Sequence, residues 1–253
     1  MDMGTTIDER LEHERAFHDD RYRNDPRAAQ DKFYDGLGES EGRFRDLVGQ
    51  FEPGQRVLEL GCGINSLAFG LAAKDVEVVG VDISPVAVEQ ARARAAELGL
   101  TAATFVVMNA EVLEFADDSF DGVVGTAVLH HLDVAAACSE MSRVLRPAGR
   151  AVFIEPLGHN PLINAYRHST PESRTEFEHP LRWQDYSLAR RFFQEVQIET
   201  FHLMAILTSP VANRWWGRPL HKFASALDRR ILGLSERMRW QGWIAVSEFR
   251  RPK

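Results

Sequence analysis

Cysteine is almost absent from the chain: Cys62 and Cys138 are its only two, far apart and outside any CxxC pairing. That excludes a disulfide framework or a cysteine-built zinc site and fits a reducing, cytoplasmic setting, with both thiols as small core residues. A basic excess is also missing. The chain carries 30 Lys and Arg against 37 Asp and Glu, a formal net charge of −7. An acidic protein gains nothing from counterion release on a phosphate backbone, so no nucleic-acid partner is expected. No apolar run is long enough to span a bilayer, and the opening MDMGTTIDERLEHER lacks the apolar centre of a secretion signal. Neither secretion nor stable membrane insertion is therefore expected. Internal repeats and low-complexity tracts are lacking too. With 44% hydrophobic and 26% charged residues, the composition is that of a folded globular chain.

What is present falls into two textures. Residues 1–50 are rich in charge, with Leu11, Phe17, Tyr22, Phe33, Tyr34, Leu37, Phe44, Leu47 and Val48 at helical spacings. The pattern predicts a helical N-terminal arm or lid, broken near Asn24-Asp25-Pro26 and Gly36-Leu37-Gly38. From residue 51 onward, short apolar runs alternate with helical patterns. Arg56–Leu60, Val76–Asp82, Ala103–Met108, Phe120–Thr126 and Arg150–Pro156 read as strands, apolar almost throughout. Such runs imply a parallel sheet covered on both faces. Ser84 and Pro85 cap and start one intervening helix, which Gly99 ends, and Asp133 to Leu145 form another. Two later strands are expected at Glu195–Leu203 and Gly242–Arg250. Insertions near 157–180 and 205–241 precede them in turn, at the sheet edge where ligands of open α/β sheets bind. They are read as substrate lids on a second unit spanning 51–253.

The sharpest motif is Val57-Leu58-Glu59-Leu60-Gly61-Cys62-Gly63-Ile64-Asn65. Gly61 and Gly63 stand where a strand turns into a helix and the backbone must come close to a ligand. That geometry serves several nucleotides. Glu59 narrows the choice, because a carboxylate two residues before the first glycine repels a diphosphate and suits a cation. Ser66 also replaces the third glycine of GxGxxG, so NAD is disfavoured. S-adenosylmethionine, with an ammonium, a sulfonium and no phosphate, fits. Asp82 closes the second strand about twenty residues on, where a carboxylate can accept from both ribose hydroxyls. Asn109-Ala110-Glu111, after the third strand, can read the adenine edge.

Taken together, VLELGCGIN, VVGVDIS, NAEVLEFADDSFDGVVGTAVLHHL and SRVLRPAGRAVFIEP resemble successive motifs of class I S-adenosylmethionine-dependent methyltransferases of the small-molecule, methyltransferase type 11-like group. The resemblance covers residues 55 to 156. It implies an α/β, Rossmann-like doubly wound sheet of seven strands in order 3-2-1-4-5-7-6, with strand 7 antiparallel. It also implies that Glu59, Gly61 and Gly63, with Cys62 and Asn65, line the methionine moiety. Asp82 and Ile83 would lie by the ribose, Asn109, Ala110 and Glu111 by the adenine, and Gly125 and Thr126 on the sulfonium side. N-terminal arms of this family fold over the cofactor, which makes Tyr34 and Tyr22 candidates for stacking there; the alternative is that they only pin the arm to the core. Ile64 and Asn65 depart from the usual Thr-Gly, and Asn109 from the frequent Asp. Asn tolerates a left-handed backbone, so the site survives both changes.

His130 follows strand four, where an acceptor meets the methyl group, and is the candidate general base; the alternative is a structural or cofactor-positioning role. No metal is expected, because adjacent His130 and His131 cannot easily point both rings at one ion. His159, Asn160, Tyr166 and Arg167 are candidate substrate residues, against the alternative of a well-bonded loop. The aromatic and cationic stretch after Ala205 is read as a lid helix packed on its own core. A membrane-surface element is its rival, and a dimer contact leaves a homodimer open. The expected function is methyl transfer to an oxygen, nitrogen or carbon nucleophile of a small acceptor in secondary metabolism. Two alternatives accompany it. One is cyclisation of the cofactor or aminocarboxypropyl transfer, releasing methylthioadenosine. The other is cofactor binding without catalysis.

Overall fold

The computed structural model describes residues 7–24, 37–169 and 177–253. Seven strands form one sheet: β1 (Arg56–Leu60), β2 (Glu77–Asp82), β3 (Ala103–Val107), β4 (Phe120–Thr126), β5 (Leu145–Pro156), β6 (Phe193–Phe201) and β7 (Ile244–Pro252). Their order is β3-β2-β1-β4-β5-β7-β6. Neighbours from β3 to β5 run parallel, and β7 is antiparallel to both β5 and β6. This is the Rossmann-like topology that the motifs imply.

Alternation along each strand sends side chains to two covered faces. Leu58, Leu60, Val79, Val81, Val123 and Phe153 pack on one side. Val57, Val78, Val124, Val152, Ile154 and Val246 pack on the other. Burial on both faces explains why these strands read as continuous apolar runs. The sheet is pinned where no side chain fits: a Cβ on Gly122 would lie 2.2 Å from the Phe51 ring, which is itself buried.

Helices α1 (Ile7–Asn24) and α2 (Gly38–Val48) form the described part of the N-terminal arm. Helix α3 is only five residues, Ala68–Ala72, because the chain from Gly61 to Leu67 is held as a loop. Helix α4 (Pro85–Glu97) starts as its sequence predicts, with Ser84 Oγ accepting from Ala87 N and Pro85 at its first position. Asp133 caps α5 (Val134–Val144) through Ala135 N and Ala136 N. Strand β5 begins five residues earlier than expected, at Leu145, with a register shift opposite Phe120 and Gly122.

The first insertion holds α6 (Pro161–Ser169), with α7 (Trp183–Ala189) after it. The second holds a 3-10 turn (Ala205–Val211), α8 (Gly217–Leu232) and α9 (Glu236–Arg239). Here one expectation is corrected. The apolar stripe of α8 does not pack on the core; Leu220, Phe223 and Leu227 are exposed. The inward face is given instead to Gly217, Ser225, Asp228 and Leu232. The Asp228 carboxylate explains the orientation, since it accepts from the backbone N–H groups of Leu203, Met204 and Ala205. Those donors open the 3-10 turn and have no partner within it.

Candidate active site

The carboxyl ends of β1, β2, β4 and β5 open into a cavity of about 930 Å³, covered by α1 and by parts of both insertions. The order reverses between β1 and β4, which places the cavity at the sheet's switch point.

At its first wall, Gly61 and Gly63 take left-handed conformations, φ 62° and 52°. A Cβ on Gly61 would lie 2.7 Å from a Val128 methyl, and one on Gly63 would lie 3.0 Å from the Tyr22 hydroxyl. Asp82 is buried beside them. One carboxylate oxygen accepts from Gly63 N at 2.9 Å and the other from Ser84 N at 2.9 Å. Each oxygen keeps lone-pair capacity for a ligand. Burial pushes the Asp82 carboxyl above its ordinary range, against the pull of those two amides.

Glu59 also borders the cavity, and its carboxylate is engaged within the loop. It accepts from Ser66 Oγ, from Leu67 N at 2.8 Å and from Ala68 N at 3.1 Å, and so caps α3. Ser66, which stands at the missing third glycine, is thus one of its donors. Burial raises Glu59 to about 7 despite three donors that favour its charged form.

Cys62, Asn65, Ile83, Asn109, Ala110 and Thr126 line the same cavity. Glu111 and Gly125 do not. Glu111 is a structural tie, accepting both from Arg10 at 2.5 and 2.7 Å and from Asp133 N at 2.8 Å. Gly125 is packed between Phe153 and Val128, with no room for a Cβ. The Asn109 side chain turns back to accept from Glu111 N. Tyr34 and Phe33 lie outside the described residues. Tyr22, on α1, is the described aromatic at the glycine loop.

The second wall holds His130. Its Nδ1 is 2.8 Å from Glu155 Oε2, and both side chains are buried. The other Glu155 oxygen accepts from Val128 N and Leu129 N. A carboxylate so placed fixes the imidazole with hydrogen on Nδ1, leaving Nε2 as the acceptor atom. That Nε2 lies 3.8 Å from Glu178 Oε1, beyond hydrogen-bond reach. Near it, Glu14 Oε2 sits 3.2 Å from His131 Nδ1 and 3.5 Å from His18 Nε2. Burial holds His131 below the ordinary imidazole range.

Contrary to expectation, adjacent His130 and His131 do reach a common centre. Ligand atoms of His130, His131 and Glu178 lie within 4.8 Å of one another, as do those of Glu14, His18 and His131. The helical chain reverses so tightly at Leu129–His131 that the two rings stand 4.2 Å apart.

Of the four candidate substrate residues, Tyr166 and Arg167 reach the cavity. His159 and Asn160 do not line it. Asn160 is buried, caps α6 through Leu162 N and Ile163 N, and donates to Leu203 O and Gln241 O. His159 Nε2 accepts from Trp183 N. Sequence reasoning missed Arg10, Glu14, His18 and Glu178. The signal for the arm was there: positions 10, 14, 18 and 22 recur at the four-residue helical interval on one face.

A methyltransferase-domain family profile matches residues 58–153. Aklanonic acid methyltransferase DauC of Streptomyces sp. (strain C5) is 35% identical over 158 residues, 58% of this chain and 71% of that protein. The ubiquinone biosynthesis O-methyltransferase of Alkalilimnicola ehrlichii is 34% identical over 109 residues, 43% of this chain and 44% of that one. Among solved structures, the Haemonchus contortus phosphoethanolamine N-methyltransferase 2 in complex with S-adenosyl-L-methionine superposes with a TM-score of 0.61. It is 16% identical, covering 92% of this chain and 60% of its own, and shows the common fold.

Proposed function

Because this chain belongs to the class I S-adenosylmethionine-dependent methyltransferases, we propose that it methylates a small, largely apolar acceptor in a cytoplasmic biosynthetic step, with His130 taking the acceptor's proton. The observation that carries the reading is that one cavity is lined by both halves of the chemistry. Gly61, Gly63 and Asp82 lie at one side and the His130–Glu155 pair at the other.

The residues present fit the cofactor by the chemistry of their donor set. Two buried carboxylates flank a left-handed glycine turn, an arrangement that favours a cationic nucleoside and opposes a diphosphate. Gly61, Cys62, Gly63 and Asn65 would hold the methionine end, with Glu59 supplying negative charge behind them. Asp82 and Ile83 would take the ribose, Asn109 and Ala110 the adenine, and Thr126 the sulfonium side. Glu111 would act at one remove, by fastening Arg10 and so the arm. Tyr22 would close the glycine loop from above. When bound, S-adenosylmethionine supplies an electrophilic methyl group and a neutral thioether leaving group.

The chain's own contribution is positioning and a proton path. His130 Nε2 accepts the proton of an oxygen or nitrogen nucleophile, or of an activated carbon, and Glu155 stabilises the imidazolium that results. Leu162, Ile163, Ile206, Trp243 and Ile244 on the remaining wall exclude water and suit an acceptor with an apolar body. Incubation with methyl-labelled cofactor and a metabolite extract tests the proposal. Labelled acceptor with S-adenosylhomocysteine supports it. Methylthioadenosine as the product, or cofactor binding without turnover, overturns it.

A further inference from the structure

Helix α8 is built inside out. Its buried face consists of Gly217, Ser225, Asp228 and one large apolar residue, Leu232, while Leu220, Phe223 and Leu227 are exposed at helical spacing and Trp216 and Leu234 are exposed just beyond its two ends. The exposure is large where it counts: Trp215 at 85%, Phe223 at 68% and Leu234 at 76%. Isolated apolar residues on a surface need no explanation, but an exposed helical stripe preceded by two exposed tryptophans marks a contact surface.

Charge says which contact. Seven Arg and Lys against two acids lie between positions 214 and 239, in a chain whose formal net charge is −7. One of those acids, Asp228, is buried in backbone hydrogen bonds, and Arg229 is tied to Glu39. The others include Arg218 and Lys222, both exposed beside the apolar stripe. A second copy seated face to face through a two-fold contact would set this basic border against its own duplicate. A bilayer with anionic headgroups matches both features, because apolar side chains enter the acyl boundary while cations stay with the phosphates. Tryptophan favours that boundary. No helix of the described residues is long and apolar enough to cross a membrane.

We propose that the outer face of α8, with Trp215, Trp216 and Leu234, seats the protein on an anionic lipid surface. The 3-10 turn joins this face to the cavity: Leu207 and Pro210 line the cavity, and both are exposed. A seated protein would thus present its cavity mouth to the bilayer, the medium in which an apolar acceptor accumulates. The seat itself does not depend on methyl transfer, so vesicle binding tests it apart from the proposed activity.

The test is co-sedimentation of the full chain with phosphatidylcholine vesicles, with and without phosphatidylglycerol. Binding to the anionic vesicles alone, weakened by salt, is the expected result. Replacing Arg218 and Lys222 by Gln should weaken it about 30-fold, near fivefold for each charge. Phe223→Ser should weaken it about tenfold, from the loss of one inserted aromatic. Unchanged thermal unfolding and cofactor affinity would show that both variants fold. Absence of binding, equal binding to neutral vesicles, or a solution dimer that Phe223→Ser dissociates would each overturn the proposal.

Discussion

Affinity for the cofactor should climb steeply between pH 5.5 and 7.5, because the cationic ligand needs Glu59 ionised and burial keeps it protonated to about 7. With that value, the charged fraction is roughly 3% at pH 5.5 and roughly 75% at pH 7.5. If the charged form alone binds, the dissociation constant falls about 25-fold over this range, with proton release dropping from about one per ligand at pH 5.5 to about a quarter at pH 7.5. Asp82 is displaced in the same direction by its own burial. Below pH 7.5 the ligand's α-amino group stays largely protonated and does not blur the result. The ligand-free protein should behave oppositely. A carboxyl raised from 4.5 to about 7 on folding stabilises the native state below pH 4.5 and loses that stabilisation as pH rises through 7. The loss amounts to about 3 kcal/mol. Calorimetry in buffers of different ionisation enthalpy measures both affinity and proton release. A flat affinity profile, or proton uptake on binding, refutes the reasoning. The Glu59→Gln variant should flatten the profile.

Asp82→Ala removes the acceptor proposed for two ribose hydroxyls and strands Gly63 N. Cofactor affinity should drop about 100-fold by titration, at roughly 1.5 kcal/mol for each charged hydrogen bond. Glu155→Gln leaves His130 beside an amide that no longer selects the Nδ1–H tautomer. Turnover should fall about 10²- to 10⁴-fold with cofactor affinity unchanged, and equal loss in both would mark a merely structural role. Gly122→Ala drives a Cβ into the Phe51 ring and should cost about 1–3 kcal/mol, read as a lower midpoint of thermal unfolding. Adding Phe51→Leu should restore part of it; an unaltered midpoint for Gly122→Ala alone would show that the sheet yields there.

Most of the sheet was legible because its signals are local. Strands buried on both faces read as apolar runs, and Ser84-Pro85 and Asp133 mark helix starts by capping chemistry that needs no tertiary context. The glycine turn and Asp82 were legible for the same reason. What escaped depends on contacts distant in sequence. Glu111 looked like an adenine neighbour, yet Arg10, 101 positions earlier, claims it. Asn160 looked like a substrate group, yet its amide joins Leu203 to Gln241. The α8 stripe has the period of a packed helix, and only Asp228, by capping a turn over twenty residues upstream, decides which side faces in.

The way α1 is fastened has a bearing on ligand traffic. Glu14 is the one residue with a described side chain in that helix that is buried, and it is not apolar. The helix is held by charged and polar fasteners: Arg10 to Glu111, Asp19 to Ser84 and Glu14 to His131. Its apolar side chains Leu11, Phe17 and Tyr22 are only half-buried, so the hydrophobic effect holds it less firmly than it holds the helices of the core. Such a cover rests on a few directional polar contacts that their own burial shields from salt, the Arg10–Glu111 and Glu14–His131 side chains being mostly enclosed, and the sheet beneath does not depend on them.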